Sequence, residues 1–156
     1  MNNAQLIKSR ERVKERGEVF TPDFIVRDMC DLIPPEQWTL EAKFLEPSCG
    51  NGNFLAEIFA RKLKLCKDPR DGVKALTSIV GIDIAADNCE EARERLLVMY
   101  MEAFPNASET ALTLAAAVLR NNIICGDSLK IMEGWANMCN THKTPDAEPP
   151  AKRRKK

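Results

Sequence analysis

The chain has 156 residues, 44% of them hydrophobic and 29% charged, which fits a single globular domain with one moderate core. Its 23 basic and 23 acidic residues cancel, yet five of the basic ones stand at 152–156, leaving 18 against 23 elsewhere. No apolar run is long enough to span a membrane and no apolar leader opens the chain, so a cytoplasmic protein without membrane contact is expected.

Residues 1–16 read as a charged helical lead-in. Gly17-Glu-Val-Phe-Thr-Pro22 follows, where Thr21 can cap a helix and Pro22 fits its first turn. Phe24, Ile25, Met29 and Leu32 recur at roughly helical spacing until Pro34 and Pro35 stop the segment. A buried strand over Lys43–Glu46 leads into a helix from Asn53 to Cys66, with Leu55, Ile58, Phe59 and Leu63 on its buried side. Residues 67–78 contain Pro69 and Gly72 and read as a loop, with a helical turn as the alternative. Ser78–Ile84 is a second buried strand ending at Asp83, and Asp87–Ala103 is a helix with Cys89, Ala92, Leu96 and Met99 on one face. Ser108–Arg120 is alanine-rich and helical, and Asn122–Cys125 is a third short strand before Gly126-Asp-Ser-Leu129. From residue 137 the chain reads as a disordered, proline-containing basic tail, which leaves residues 17–136 as the folded domain.

The six cysteines form no Cys-x-x-Cys pair, so neither a zinc site nor a disulfide framework is expected, and no metal is assigned. His142 is the single histidine and lies in the polar tail, which argues against histidine-dependent catalysis. Strands alternating with helices predict an α/β fold with a parallel sheet, and ligands of such sheets bind at the carboxyl ends of the strands.

Phe44-Leu-Glu-Pro-Ser-Cys-Gly-Asn-Gly-Asn-Phe-Leu55 is a strand, a glycine turn and a helix start. Glycine lets backbone approach a ligand closely, and the helix start offers free N–H groups. The third glycine of a dinucleotide fingerprint is missing, because Leu55 holds that place, and no Gly-Lys-Ser/Thr makes a P-loop. Glu46 beneath the glycines repels a diphosphate and suits a cation such as an amino-acid ammonium. Asp83 and Asp127 follow at the next two strand ends. The first is placed to accept from ribose hydroxyls and the second from an adenine amino group. Taken singly, each reads equally well as a helix or turn cap. Together the three carboxylates describe a nucleoside with a zwitterionic tail, as in S-adenosylmethionine (SAM).

These segments, with Gly17–Pro22, Gly81-Ile-Asp-Ile84 and Gly126–Leu129, resemble the adenine-N6 DNA methyltransferases of restriction–modification systems, most closely type I modification subunits. The resemblance spans roughly residues 16–130. It implies a Rossmann-like SAM-dependent methyltransferase fold with flanking helices. Thr21 would contact the cofactor beside the glycine loop, and Glu46, Cys49, Gly50 and Gly52 would surround its methionine moiety. Asp83 would hold the ribose, Ile84 would pack on the adenine, and Asp127 with Ser128 would bind the adenine amino group.

The family's base-holding loop, Asn/Asp/Ser-Pro-Pro followed by an aromatic, has no match. Ile33-Pro-Pro-Glu36 precedes the glycine loop, and Glu148-Pro-Pro-Ala151 lacks both the polar and the aromatic residue. No catalytic residue is therefore assigned. Three strands against the family's seven predict an incomplete sheet with the glycine-loop strand at an edge. Two readings follow. One is the cofactor-binding portion of a DNA methyltransferase, with DNA as partner and a second polypeptide supplying the missing loop and target recognition. The other is an inactive SAM- or DNA-binding module that regulates or complements a full enzyme. The tail at 152–156 suits phosphate contact in either case.

Overall fold

The computed structural model describes residues 6–141. The expected tail beyond 141, with His142, the second Pro-Pro pair and the basic run, lies outside the described residues. So does the start of the lead-in, whose helix α1 covers Arg10–Arg16. Ser9 caps that helix by accepting from Arg12 N–H, and Gly17 ends it in the left-handed region at φ 66°.

Helix α2 spans Asp23–Asp31, one residue later than predicted. Pro22 itself is the cap residue, at φ −59° and ψ 144°, and no side chain caps the helix. Thr21, predicted as the cap, instead offers its carbonyl to Asn53 Nδ2 at 2.8 Å. Pro22 has an extended ψ and so stands outside the helix, which leaves Thr21 one residue too far out to cap it. A single 3-10 turn at Pro35–Gln37 then carries the chain to strand β1, Phe44–Glu46.

Two helices follow each of the first two strands. Helices α3 (Asn53–Leu63) and α4 (Pro69–Thr77) lead to β2 (Ile79–Asp83). Helices α5 (Ala86–Ala103) and α6 (Glu109–Asn122) lead to β3 (Ile123–Cys125), and α7 runs over Ser128–Thr141. The sheet has the order β1-β2-β3 and is wholly parallel, with Glu46 opposite Gly81 and Asp83 opposite Cys125. The protein is thus α/β, and among the described residues β1 is an edge strand with a single neighbour. No described helix is long and apolar enough to cross a membrane.

Beyond shifts of one or two residues, the structure departs from the sequence reading in three places. Helix α3 stops at Leu63 because its last turn tightens: Leu65 N–H bonds Lys62 O and Cys66 N–H bonds Leu63 O, both three residues back. Residues 137–141 are helical rather than disordered, since Ile131, Met132, Trp135 and Met138 continue a helical spacing and no proline intervenes. The predicted loop over 67–78 is mostly helix α4. Asp68 caps it by accepting from Arg70 and Asp71 N–H at 2.8 and 3.0 Å, with Pro69 in the first turn.

Gly72 in α4 is a packing residue, not a breaker. A Cβ there would stand 2.4 Å from Phe104 Cε2 and 2.8 Å from Tyr100 Cε2. Tyr100 is fully buried and its hydroxyl donates to Pro69 O at 3.0 Å, so the ring has little room to retreat. Gly72→Ala is therefore expected to destabilise by ~1–3 kcal/mol despite the better helix propensity of alanine. Denaturant unfolding monitored by circular dichroism checks the sign.

The core lies between the sheet and helices α3–α6, with Leu55, Phe59, Leu76, Ile79, Leu96, Tyr100 and Ile123 almost wholly buried. Burial of each large apolar side chain contributes about 1.5–3 kcal/mol. Among the described residues one charged side chain shares this interior. Lys62, on α3, is 0% exposed, and its Nζ donates to the carbonyls of Thr39, Leu40 and Ala42 at 2.8, 3.1 and 2.7 Å. The ammonium also stands 5.1 Å from the Phe44 ring, which stacks on Trp38 at 5.2 Å. Lys62 thereby ties down the segment that feeds β1, and β1 carries the site.

Candidate functional site

The turn between β1 and α3 rests on the end of β2. Cys49 N–H donates to Ile82 O at 2.9 Å, and Gly50 N–H donates to Asp83 Oδ2 at 3.0 Å. Gly50 and Gly52 have φ of 53° and 87°, the left-handed region that favours glycine. Space demands glycine as well. A Cβ on Gly50 would meet the Phe20 ring at 3.1 Å, and one on Gly52 would meet the Ala92 Cβ at 3.0 Å. Gly52 is the cap residue of α3 and aims that helix at the sheet's carboxyl end.

Above this turn lies an open cavity of about 270 Å³. One wall is the segment Gly17–Thr21, and the turn with Asn53 and Phe54 makes another. Glu46, Asp83 and Ile84 complete it from the strand ends. Six of the nine candidate residues, Thr21, Glu46, Cys49, Gly50, Asp83 and Ile84, thus line one cavity. Gly52 supports it from the helix cap. Asp127 and Ser128 are not on its wall.

Glu46 is half-buried and accepts one hydrogen bond, from Ser48 N–H at 3.2 Å. Burial pushes its carboxyl above the usual carboxylate range, and no basic side chain among the described residues pairs with it. A desolvated carboxylate facing a cavity without a counter-ion suits a cationic group of a ligand.

Asp83 is the most engaged carboxylate of the site. Oδ2 accepts from Gly50 N–H, while Oδ1 accepts from Ala85 N–H at 2.8 Å and Asn88 Nδ2 at 3.3 Å. A carboxylate offers about four lone-pair positions, so one remains, on Oδ2, for a ligand hydroxyl. Capping and binding are therefore compatible in this side chain. Ile84 is 64% exposed and gives the cavity a flat apolar surface beside that carboxylate.

Cys49 plays a packing part. Burial pushes its thiol up to about 12, so it stays neutral, and its Sγ lies only 3.0 Å from where a Gly81 Cβ would stand. That removes it as a nucleophile. Asp127 behaves as a helix cap: Oδ1 accepts from Leu129 and Lys130 N–H at 3.0 and 3.4 Å. Its neighbour Gly126 donates its N–H to Asp83 O at 2.8 Å, which keeps the third strand end beside the second. Among the described residues no cluster of His, Cys, Asp and Glu is arranged to hold a metal ion.

Sequence reasoning did not single out Glu18 or Asn88. Glu18 lines the cavity with its side chain 12% exposed, and Asn88 lies fully buried behind Asp83. They meet through a hydrogen bond of 3.1 Å across most of the domain's sequence, and no local pattern encodes such a contact.

Glu46 supplies a prediction that separates binding from folding. Its folded-state pKa is raised, so the folded protein holds the proton more tightly than the unfolded chain. Stability is then greatest below the unfolded pKa and is lost as pH rises through the folded one. Glu46→Gln removes that loss and should raise Tm at pH 7 by ~1–3 °C, the gap closing at acid pH. The same change should weaken a cationic ligand by about 10-fold. Thermal scans at two pH values and a binding titration check both signs.

No family model, curated protein or solved structure matches the chain.

Proposed function

We propose that the chain is the SAM-binding portion of an adenine-N6 DNA methyltransferase with a Rossmann-like fold. The observation that carries the reading is the unpaired, half-buried Glu46 sharing a cavity with Asp83 across the Gly50 turn. Glu46 suits the ammonium of the methionine moiety, the one free lone pair of Asp83 suits a ribose hydroxyl, and exposed Ile84 suits the face of the adenine. Thr21 and the Gly50 backbone close the methionine end, and Gly52 sets the approach of α3. Asp127 would turn Oδ2, which stands 3.9 Å from Lys130 Nζ, to the adenine amino group from beyond the cavity wall. Bound SAM would supply an electrophilic methyl on sulfonium.

The parallel sheet, the glycine turn and the order of the acidic strand ends support this reading over a nicotinamide dinucleotide, whose diphosphate Glu46 would repel. Methyl transfer to adenine requires the base to be flipped out and its amino group held. Residues 1–156 contain no Pro-Pro-aromatic loop for that task. That loop and target recognition would come from outside residues 1–156, as from a second polypeptide, and the basic run at 152–156 would add phosphate contact.

Recovery of the tagged chain from its native host tests the assignment. The expected result is a companion carrying Asn/Asp/Ser-Pro-Pro-aromatic, with adenine methylation by the pair and none by either alone. SAM binding with no companion and no methylation under any pairing would favour the regulatory module instead. Deleting residues 152–156 should weaken DNA binding and flatten its dependence on salt.

A further inference from the structure

A chain of polar contacts joins the N-terminal helix to Asp83. Arg12, on α1, donates through Nη2 to Glu18 Oε2 and through Nη1 to Asp87 Oδ2, each at 2.6 Å. The same Glu18 oxygen accepts from Asn88 Nδ2 at 3.1 Å, and Asn88 Nδ2 also donates to Asp83 Oδ1 at 3.3 Å. Lys8 fastens the same segment to α5 through Asp87 and Glu91 at 3.0 and 2.7 Å. Phe20 N–H closes the strap by donating to Leu6 O at 2.8 Å. What this network holds in place, Gly17–Thr21, is a wall of the cavity.

The orientation of Asn88 follows from charge. Its side chain is 0% exposed, and the carboxylates of Glu18 and Asp83 both lie on its Nδ2 side. A flipped amide would present Oδ1 to two carboxylates, and the resulting repulsion forbids it. Its own Oδ1 and the second oxygen of Glu18 are buried without a partner, so neither competes to turn the pair.

We propose that Arg12, Glu18 and Asn88 are positioning residues for Asp83. Arg12 holds Glu18, Glu18 and Asp83 together fix Asn88, and Asn88 sets the carboxylate so that its remaining lone pair faces the cavity. This rests on the cofactor reading of the site. Since coupling between sites is reciprocal, a ligand held by Asp83 tightens the 10–20 strap in return.

The test measures SAM affinity and amide hydrogen exchange over residues 10–20 in the full chain. Arg12→Ala and Glu18→Gln should each weaken SAM about 10-fold. The two changes together should do little more than either alone, because they break one relay. Arg12→Lys should recover part of the affinity. SAM should slow exchange across 10–20 in the wild type and leave it unchanged in Arg12→Ala. A merely structural network would lower Tm in the variants yet leave the affinity of the folded protein and the exchange response intact. That outcome overturns the positioning role while the cofactor reading stands. Failure of the wild type itself to bind SAM overturns the cofactor reading and the relay with it.

Discussion

Asp83→Ala is expected to abolish measurable SAM binding and to destabilise the apo protein at the same time. The carboxylate accepts from Gly50 N–H, Ala85 N–H and Asn88 Nδ2, so alanine leaves three donors without their acceptor. Hydrogen bonds to a charged group contribute about 1.5–3 kcal/mol each, part of which water recovers at this half-buried position. A net loss of ~2–4 kcal/mol in urea unfolding is the expected size. Binding suffers twice, through the lost hydroxyl contact and through release of the Gly50 turn, and should fall about 100-fold or more.

Asp83→Asn divides these effects. The amide keeps one acceptor for Ala85 N–H and Asn88, but its NH₂ then faces Gly50 N–H, donor against donor. Stability should fall by only ~1–2 kcal/mol, while affinity drops nearly as far as in the alanine variant. Equal affinity in wild type and Asp83→Asn would remove this carboxylate from the binding account.

The second large effect is expected at Lys62. Burial pulls its pKa down to about 8, which still leaves an ammonium at neutral pH. Its three N–H groups are spent on the carbonyls of Thr39, Leu40 and Ala42. Methionine matches the volume and offers no donor, so three carbonyls lose their partner beside the core. Each unsatisfied buried acceptor costs about 1–3 kcal/mol, reduced where the exposed 39–42 segment can turn to water. Lys62→Met should therefore lose ~2–4 kcal/mol in denaturant unfolding and speed amide exchange in β1. Unchanged stability would mean that the 38–44 segment is held by its other contacts, the Trp38–Phe44 stack, the Lys74–Glu41 pair and Phe44 N–H on Ser78 O among them.

The strands and the glycine turn were legible because their signals are local. Phe44–Leu55 carries its glycines where positive φ is needed, and apolar runs stop at Glu46 and Asp83. Helix α4 was not legible because Pro69 and Gly72 carry two meanings. Pro69 opens a helix behind Asp68, and Gly72 makes room for Tyr100 and Phe104, a contact that only the folded chain reveals. The Thr21 cap failed because Pro22, with its extended ψ, is itself the residue just outside the helix, a choice the Thr-Pro pair alone does not reveal.

Within the site, Glu46, Gly50 and Asp83 could be placed from sequence because strand ends of a parallel sheet converge. Asp127 shows the limit of that reasoning. A residue at a strand end can also cap the next helix, and here its Oδ1 is taken up in that way. Glu18 and Asn88 stayed hidden because their partners come from α1, β2 and α5 at once.

Calorimetric titration of the wild-type chain with SAM asks whether the Glu46–Gly50–Asp83 cavity holds that cofactor. Saturable binding at one site per chain is expected, weakening as pH falls through the raised pKa of Glu46, with no response to a nicotinamide dinucleotide. A folded protein that gives no heat with SAM and shows no thermal shift would contradict it.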